Sequence, residues 1–209
     1  MNKSFIYSNI YTYRILMNIL YSLKYKKRFS EISLEISEKD TNILELCFGD
    51  IYIANECRKK GINWTGIDIN ENFVDFAAKR GYNALRKDVS KIDSFPLSDM
   101  CIISGSLYQF HSEIESMIQK MLDSTQKILI SEPINNLSSK KGFIGKISGI
   151  LTNAGKGAEN FRYNRQSITD MLNKLKDTLN FEYRIISANH DIVIEIKKNE
   201  RNKYNYPSL

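Results

Sequence analysis

The sequence predicts an α/β fold: a doubly wound, mostly parallel seven-stranded sheet with a C-terminal antiparallel hairpin and a helical N-terminal cap. Three observations predict it. Five short apolar runs between residues 42 and 133 alternate with helical stretches, the pattern of parallel strands covered on both faces. Two further runs, Phe181 to Ser187 and Asp191 to Lys197, alternate apolar with polar residues and are joined by the tight turn Ala188-Asn189-His190. The first forty residues carry a helical period instead.

Taken in order, Ile6, Ile10, Tyr13, Met17 and Leu20 recur at spacings of four and three, one face of a helix over 4 to 27. A second short helix follows over 29 to 38. The first strand is Asn42 to Cys47, and a helix through Ala54 and Arg58 runs from Phe48-Gly49-Asp50 to Gly61. Trp64 to Ile69 is the second strand, with a helix from Glu71 to Lys79 ending before Gly81. Asn83 to Arg86 is a third, weaker strand before Asp88. Met100 to Ile103 is the fourth, followed by a helix from about His111 to Leu122. Lys127 to Ile130 is the fifth and ends at Ser131-Glu132-Pro133; the last helix covers 166 to 178. The region from Pro133 to Asn164 is too long for a plain connection. Its apolar Phe143-Ile144 and Ile147 to Leu151 predict a helix within it, and insertions at the carboxyl edge of a sheet form binding walls or lids. The domain plan is therefore a cap at 1–40, a main domain at 41–198 with an insertion at about 133–164, and a polar tail at 199–209.

The balance of 42% hydrophobic and 26% charged residues over 209 positions is that of a globular chain with one core. The net charge of +6 suits a polyanionic or membrane-surface partner, but the lysines are scattered, and the lean towards Lys, Ile, Asn and Ser is what a low-GC genome imposes. Cys47, Cys57 and Cys101 share no metal-ligand spacing and read as small core residues of a reduced intracellular protein. No metal site is expected. Arg14 and the basic cluster at 24 to 28 break up the apolar N-terminus, so neither a membrane span nor a secretory signal is predicted, and a cytoplasmic location follows.

In an open parallel sheet, ligands bind at the carboxyl ends of the strands. The first strand ends in Glu45-Leu46-Cys47-Phe48-Gly49-Asp50. A pyrophosphate needs G-x-G-x-x-G there; only Gly49 is present, and Asp50 would repel phosphate. Asp68, ending the second strand, can accept hydrogen bonds from both hydroxyls of a ribose, each worth about 1.5–3 kcal/mol. It can also serve as a helix cap, although Asn70 is better placed for that. Asp88-Val89 can meet an adenine amino group and ring face, or form a simple turn. Ser104-Gly105-Ser106 lets backbone approach a ligand closely. Together these describe a nucleoside ligand without a polyphosphate.

At this point the sequence resembles the class I (seven-stranded, Rossmann-like) S-adenosylmethionine-dependent methyltransferases. Ile43 to Asp50, Gly66-Ile67-Asp68-Ile69-Asn70, Lys87-Asp88-Val89, Asp99 to Phe110 and Ile128 to Pro133 carry the resemblance, which spans roughly 42 to 197. It implies S-adenosyl-L-methionine as cofactor, held by Glu45, Cys47, Phe48, Gly49, Asp68, Ile69, Asp88, Val89 and Ser104. The family's turn reads E/D-x-G-x-G-x-G; here Cys47 and Ile51 replace its outer glycines.

Methyl transfer needs alignment more than protein chemistry. His111 is a candidate base or substrate contact and Tyr108 a wall of the methyl pocket; the plain alternative for His111 is a helix-start histidine facing water. Glu132, Asn135 and Asn136 leave the fifth strand towards the same cavity, and Arg162 and Tyr163 can bind an acidic substrate group. Arg162 can equally pair with a surface carboxylate. His190, in the distal hairpin turn, reads as structural. Neither an Asn-Pro-Pro-Tyr-type turn nor a Pro-Cys nucleophile is present, so a small-molecule, sugar or lipid-linked acceptor fits better than nucleic acid. A non-catalytic binding module and an RNA methyltransferase are the alternatives. Phe5, Tyr7, Tyr11, Tyr13, Tyr21 and Tyr25, with the basic cluster behind them, can lie on a membrane surface; the plainer account is a lid packing over the cofactor.

Overall fold

The computed structural model describes residues 9–21, 23, 25–134 and 161–199. Helix α1 (Ile10–Leu20) opens at Asn9, whose side chain accepts the Tyr11 amide at 2.8 Å. Helix α2 (Tyr25–Glu35) follows. The single helix expected over 4 to 27 is interrupted. Leu23 is left-handed (φ 65°) and its amide donates to the Asn18 carbonyl at 2.6 Å. The break returns the chain over the sheet, so that Tyr25, Phe29 and Ile32 of α2 join the cluster that holds Ile10 and Met17 of α1.

Then come β1 (Asn42–Leu46), α3 (Tyr52–Lys59), β2 (Asn63–Asp68), α4 (Glu71–Ala78), β3 (Asn83–Arg86), β4 (Met100–Ser104), α5 (Ile114–Ser124) and β5 (Lys127–Pro133), and after the insertion α6 (Arg165–Leu175), β6 (Phe181–Ala188) and β7 (Asp191–Lys198). The seven strands form one sheet in the order β3-β2-β1-β4-β5-β7-β6. The first five are parallel, and β7 runs antiparallel to both β5 and β6. Apolar residues of α1 to α4 cover one face and those of α5 and α6 the other, so each central strand is buried on both sides, as its unbroken apolar run requires.

Two local readings change. The helix expected from about His111 is preceded by a 3-10 stretch, Leu107–Glu113, kinked at Phe110, and α5 starts only at Ile114. The cause is Glu132, whose Oε1 accepts the Leu107 amide at 2.6 Å and anchors the chain to β5. Second, the turn bearing His190 is not distal. Because β7 is antiparallel, Asp191 pairs with Pro133, which puts that turn at the carboxyl edge of the parallel strands. The helix expected around Phe143 to Leu151 lies outside the described residues, as do Asn135 and Asn136.

Candidate functional site

The strand order reverses between β1 and β4, so a crevice at the carboxyl end of the sheet is set by this topology. On its β1–β2 side the chain turns sharply after Leu46. Cys47 and Gly49 are both left-handed, at φ 53° and 57°. Gly49 adopts this freely; Cys47 does so against the clash of its Cβ, at a cost of about 1–2 kcal/mol. A left-handed conformation that suits glycine is thus adopted at a position where the sequence has cysteine. A side chain on Gly49 would also meet the Tyr13 hydroxyl of α1 at 3.3 Å.

Asp68 is 7% exposed. Its Oδ2 accepts the Gly49 amide at 2.9 Å and its Oδ1 the Asn70 amide at 2.8 Å. Burial pushes its carboxyl up to about 6, against the pull of these amides. Asn70 caps α4 through the Asn72 amide, so Asp68 is spared that role. No ion pair joins Asp68 to a Lys or Arg among the described residues. Beside it, Asp50 takes a bidentate pair from Arg14, at 2.7 and 2.8 Å. The repulsion expected of Asp50 is therefore compensated by the cap, and the missing glycines remain the argument against a pyrophosphate.

The other residues named for the cofactor divide. Ile69 is 41% exposed, directly after Asp68. Asp88 caps the short turn Val89–Lys91, its Oδ1 accepting from both the amide and the hydroxyl of Ser90, and Val89 is buried in the core. The Ser104 hydroxyl is buried without a hydrogen-bond partner among the described residues. Glu45 and Phe48 face the core instead. Phe48 lies edge-on to Trp64 at 5.2 Å, and Glu45 Oε2 accepts the Trp64 indole N–H at 2.8 Å. Burial drives the Glu45 carboxyl well up, against the pull of the Trp64 indole N–H.

On the β4–β5 side the residues named for the acceptor come together. The Arg162 guanidinium lies 3.7 Å from the centre of the Tyr108 ring. The His111 ring stacks on Phe161 (4.4 Å, 12°), and Phe161 meets Tyr163 edge-on at 4.9 Å. His111 Nδ1 is 3.3 Å from the Tyr108 carbonyl. A carbonyl only accepts, so in the neutral ring this places the proton on Nδ1 and makes Nε2 the acceptor. Burial raises the Glu132 carboxyl to about 7, although Arg28 and the amides of Leu107 and Ser106 oppose it.

Asp191 and Phe161 were not singled out from the sequence, Arg28 was read only as part of the basic cluster, and Tyr13 only as part of the N-terminal helix and its lid. Arg28 Nε lies 2.7 Å from Asp191 Oδ2, with both side chains buried. Gly105 (φ 65°) allows this, because any Cβ there would overlap the guanidinium. What approaches the small-residue stretch is thus an arginine of the chain itself. A signal was present: Tyr21, Tyr25, Arg28, Ile32 and Ile36 fall at helical spacing, which puts Arg28 on the buried face rather than in a solvated basic cluster.

No protein-family model matches the sequence, and no curated protein matches it. Solved structures do. The plantazolicin methyltransferase BpumL, in complex with a monoazolic desmethylPZN analogue and S-adenosylhomocysteine (SAH), superposes with a TM-score of 0.64 at 14% identity, covering 88% of this chain and 86% of that one. Magnesium protoporphyrin IX methyltransferase from Synechocystis PCC 6803, with bound SAH, gives 0.61 at 12% identity over the same shares. Human N-acetylserotonin methyltransferase, in complex with S-adenosylmethionine, gives 0.63 at 15% identity, and this chain spans 58% of its length. The fold is that of the class I S-adenosylmethionine-dependent methyltransferases.

Proposed function

We propose that the chain is an S-adenosylmethionine-dependent methyltransferase acting by in-line transfer on a small-molecule, sugar or lipid-linked acceptor. Residues 41–198 would be its catalytic domain and 1–40 its cap. The observation that carries this reading is Asp68, a buried carboxylate at the end of β2 next to the switch point of the sheet, fixed by two amides and not matched by a cation among the described residues. Such a group favours a ligand that brings hydroxyl donors.

The residues present fit that cofactor. Asp68 would accept the two ribose hydroxyls, Ile69 and Val89 would flank the adenine, and the Cys47–Gly49 turn, with the unpartnered Ser104 hydroxyl nearby in the fold, would border the methionine moiety. When bound, the cofactor supplies an electrophilic methyl carbon on a sulfonium. The chain's own residues have the remaining tasks. Tyr108 and Tyr163 exclude water, Arg162 orients an acidic group of the acceptor, and His111 Nε2 can take a proton from an acceptor hydroxyl. Alignment of this kind can supply about 7–11 kcal/mol of a methyl-transfer barrier.

Calorimetric titration with S-adenosylmethionine and SAH tests the proposal: saturable binding is expected, and its absence removes the reading. A second reading, a binding module without turnover, draws on the strained Cys47 and on Tyr13 seated against Gly49. It predicts binding without methyl transfer to any fraction of a cell extract.

A further inference from the structure

Helix α1 has an inner face accounted for by the crevice and an outer face that is not. Ile10 and Met17 are buried, and Tyr13 reaches Gly49. On the other side Tyr11, Ile15 and Ile19, four residues apart, form one stripe and are 59%, 64% and 55% exposed; Leu23 in the next turn is 82% exposed. A surface helix ordinarily turns charged residues outward. A line of large apolar side chains on its outer face marks an interaction surface. Of the aromatic residues that suggested a membrane from sequence, Tyr13, Tyr21 and Tyr25 pack inward, Tyr13 edge-on to Tyr25 and Tyr21 tilted against it, so the outward face is mostly aliphatic.

The positive excess of the chain lies in the segment that carries this stripe. The first thirty residues hold six Lys or Arg and no Asp or Glu, so the other 179 carry 24 of each sign. Lysines are scattered along the chain, but the imbalance is not. Arg14 and Arg28 are consumed by Asp50 and Asp191. Lys26 and Lys27, in the first turn of α2 just after Leu23, are exposed. At the other end Arg80 lies 3.5 Å from the centre of the Phe76 ring, which itself meets Tyr11 edge-on. Basic groups thus bracket an apolar line that bears no carboxylate.

We propose that α1 seats the protein on an anionic lipid surface, its Tyr11, Ile15, Ile19 and Leu23 entering the headgroup–acyl boundary and Lys26, Lys27 and Arg80 meeting the headgroups. Apolar anchors with flanking cations are what such a surface recognises. A second copy fits less well: a two-fold contact would set this positive surface against itself with no carboxylate to answer it. Nucleic acid would answer the charge and leave the isoleucines unused. The helix lies on the membrane in this proposal and does not cross it; among the described residues no helix is long and apolar enough to span one. The proposal concerns the outer face alone and does not depend on methyl transfer.

The test is sedimentation of the full chain with vesicles of phosphatidylcholine alone or of equimolar phosphatidylcholine and phosphatidylglycerol, without cofactor. Partition into the anionic vesicles is expected, weakening with salt. Ile15→Glu with Ile19→Glu should reduce it by more than about tenfold, and Lys26→Ala or Lys27→Ala by roughly fivefold each. Leu34→Glu, at an equally exposed leucine outside the stripe, should leave it unchanged. Circular dichroism confirms that each variant is folded. No partition, or partition indifferent to the isoleucine substitutions, overturns the proposal. So does a dimer that the same substitutions dissolve in sedimentation velocity while no vesicle is bound, or retention on poly(U) without vesicle binding.

Discussion

Asp68 at the end of β2 and Glu132 near the end of β5 are buried carboxylates that hold neighbouring turns by the same device. Asp68 accepts the amides of Gly49 and Asn70, and Glu132 that of Leu107. Their surroundings differ. Glu132 has a buried cation close by, Arg28, which is in turn paired with Asp191. That side of the crevice is electrostatically closed, and the cluster supports the segment bearing Tyr108 and His111. Among the described residues Asp68 is left without a cation, and its neighbour Asp50 already owns Arg14. A closed cluster is a scaffold, whereas an open one is completed by something from outside.

The largest effect should come from opening the closed side. Asp191→Ala strands the Arg28 guanidinium in the interior, and loss of one partner of a buried pair costs about 3–5 kcal/mol. Urea denaturation measures it. Replacing both partners, Arg28→Met with Asp191→Leu, should recover much of the loss. A cost below about 1 kcal/mol for Asp191→Ala, in the range of exposed pairs, would mean that Arg28 has other support and that the two sides are alike.

On the open side, Asp68→Ala should weaken SAH binding by at least about 1.5 kcal/mol, or more than tenfold, through loss of a charge-assisted bond. Asp68→Asn keeps an acceptor for only one of the two amides, turns an NH2 towards the other, and should fall between. Unchanged affinity in calorimetry would detach Asp68 from any ribose.

Acidity sharpens the contrast. Burial raises Asp68 from 3.8 to about 6 and Glu132 from 4.5 to about 7. Both carboxyls therefore bind protons more tightly folded than unfolded. Their contribution to stability is greatest at low pH and is lost as pH rises towards 6 and 7 respectively. Glu132→Gln should remove its share of that decline, so the variant gains on the parent protein between about pH 4.5 and 7 in urea midpoints. Ligand affinity should run the other way. It should rise as Asp68 ionises through about pH 6, because only the carboxylate is an acceptor at both oxygens. A pH-independent affinity would count against the open side.

The sheet was readable because every strand buried on both sides leaves an unbroken apolar run, as in Ile43-Leu44 and Met100 to Ile103, and because the terminal hairpin alternates. Asp68 was readable for a related reason: a carboxylate ending a buried strand has few structural duties. Glu45 and Phe48 belong to the same short segment, but the pleat of β1 turns Glu45 into the core and Phe48 packs inward only after the left-handed turn at Cys47, and adjacency in sequence carries no sign of that. The Arg28–Asp191 pair joins residues 163 positions apart, and only the antiparallel return of β7 brings them together. The break at 21–24 was missed because helical spacing runs through it, while Leu23 adopts a conformation that propensity argues against.

The smallest expected effect lies at Cys47, where the open side departs from the glycine turn of the methyltransferases that the sequence resembles. The residue is held at φ 53°, which costs a side-chain-bearing residue about 1–2 kcal/mol. Glycine pays nothing there in the folded state but gains freedom when unfolded, which returns about 0.4–1 kcal/mol of that difference. Cys47→Gly should therefore stabilise the chain by up to about 1 kcal/mol in urea denaturation and leave SAH affinity the same or higher. Should the variant be destabilised, the thiol must make contacts worth more than the strain. The turn would then be built around the cysteine rather than tolerating it, and the comparison with the family's glycine turn would no longer apply at this residue.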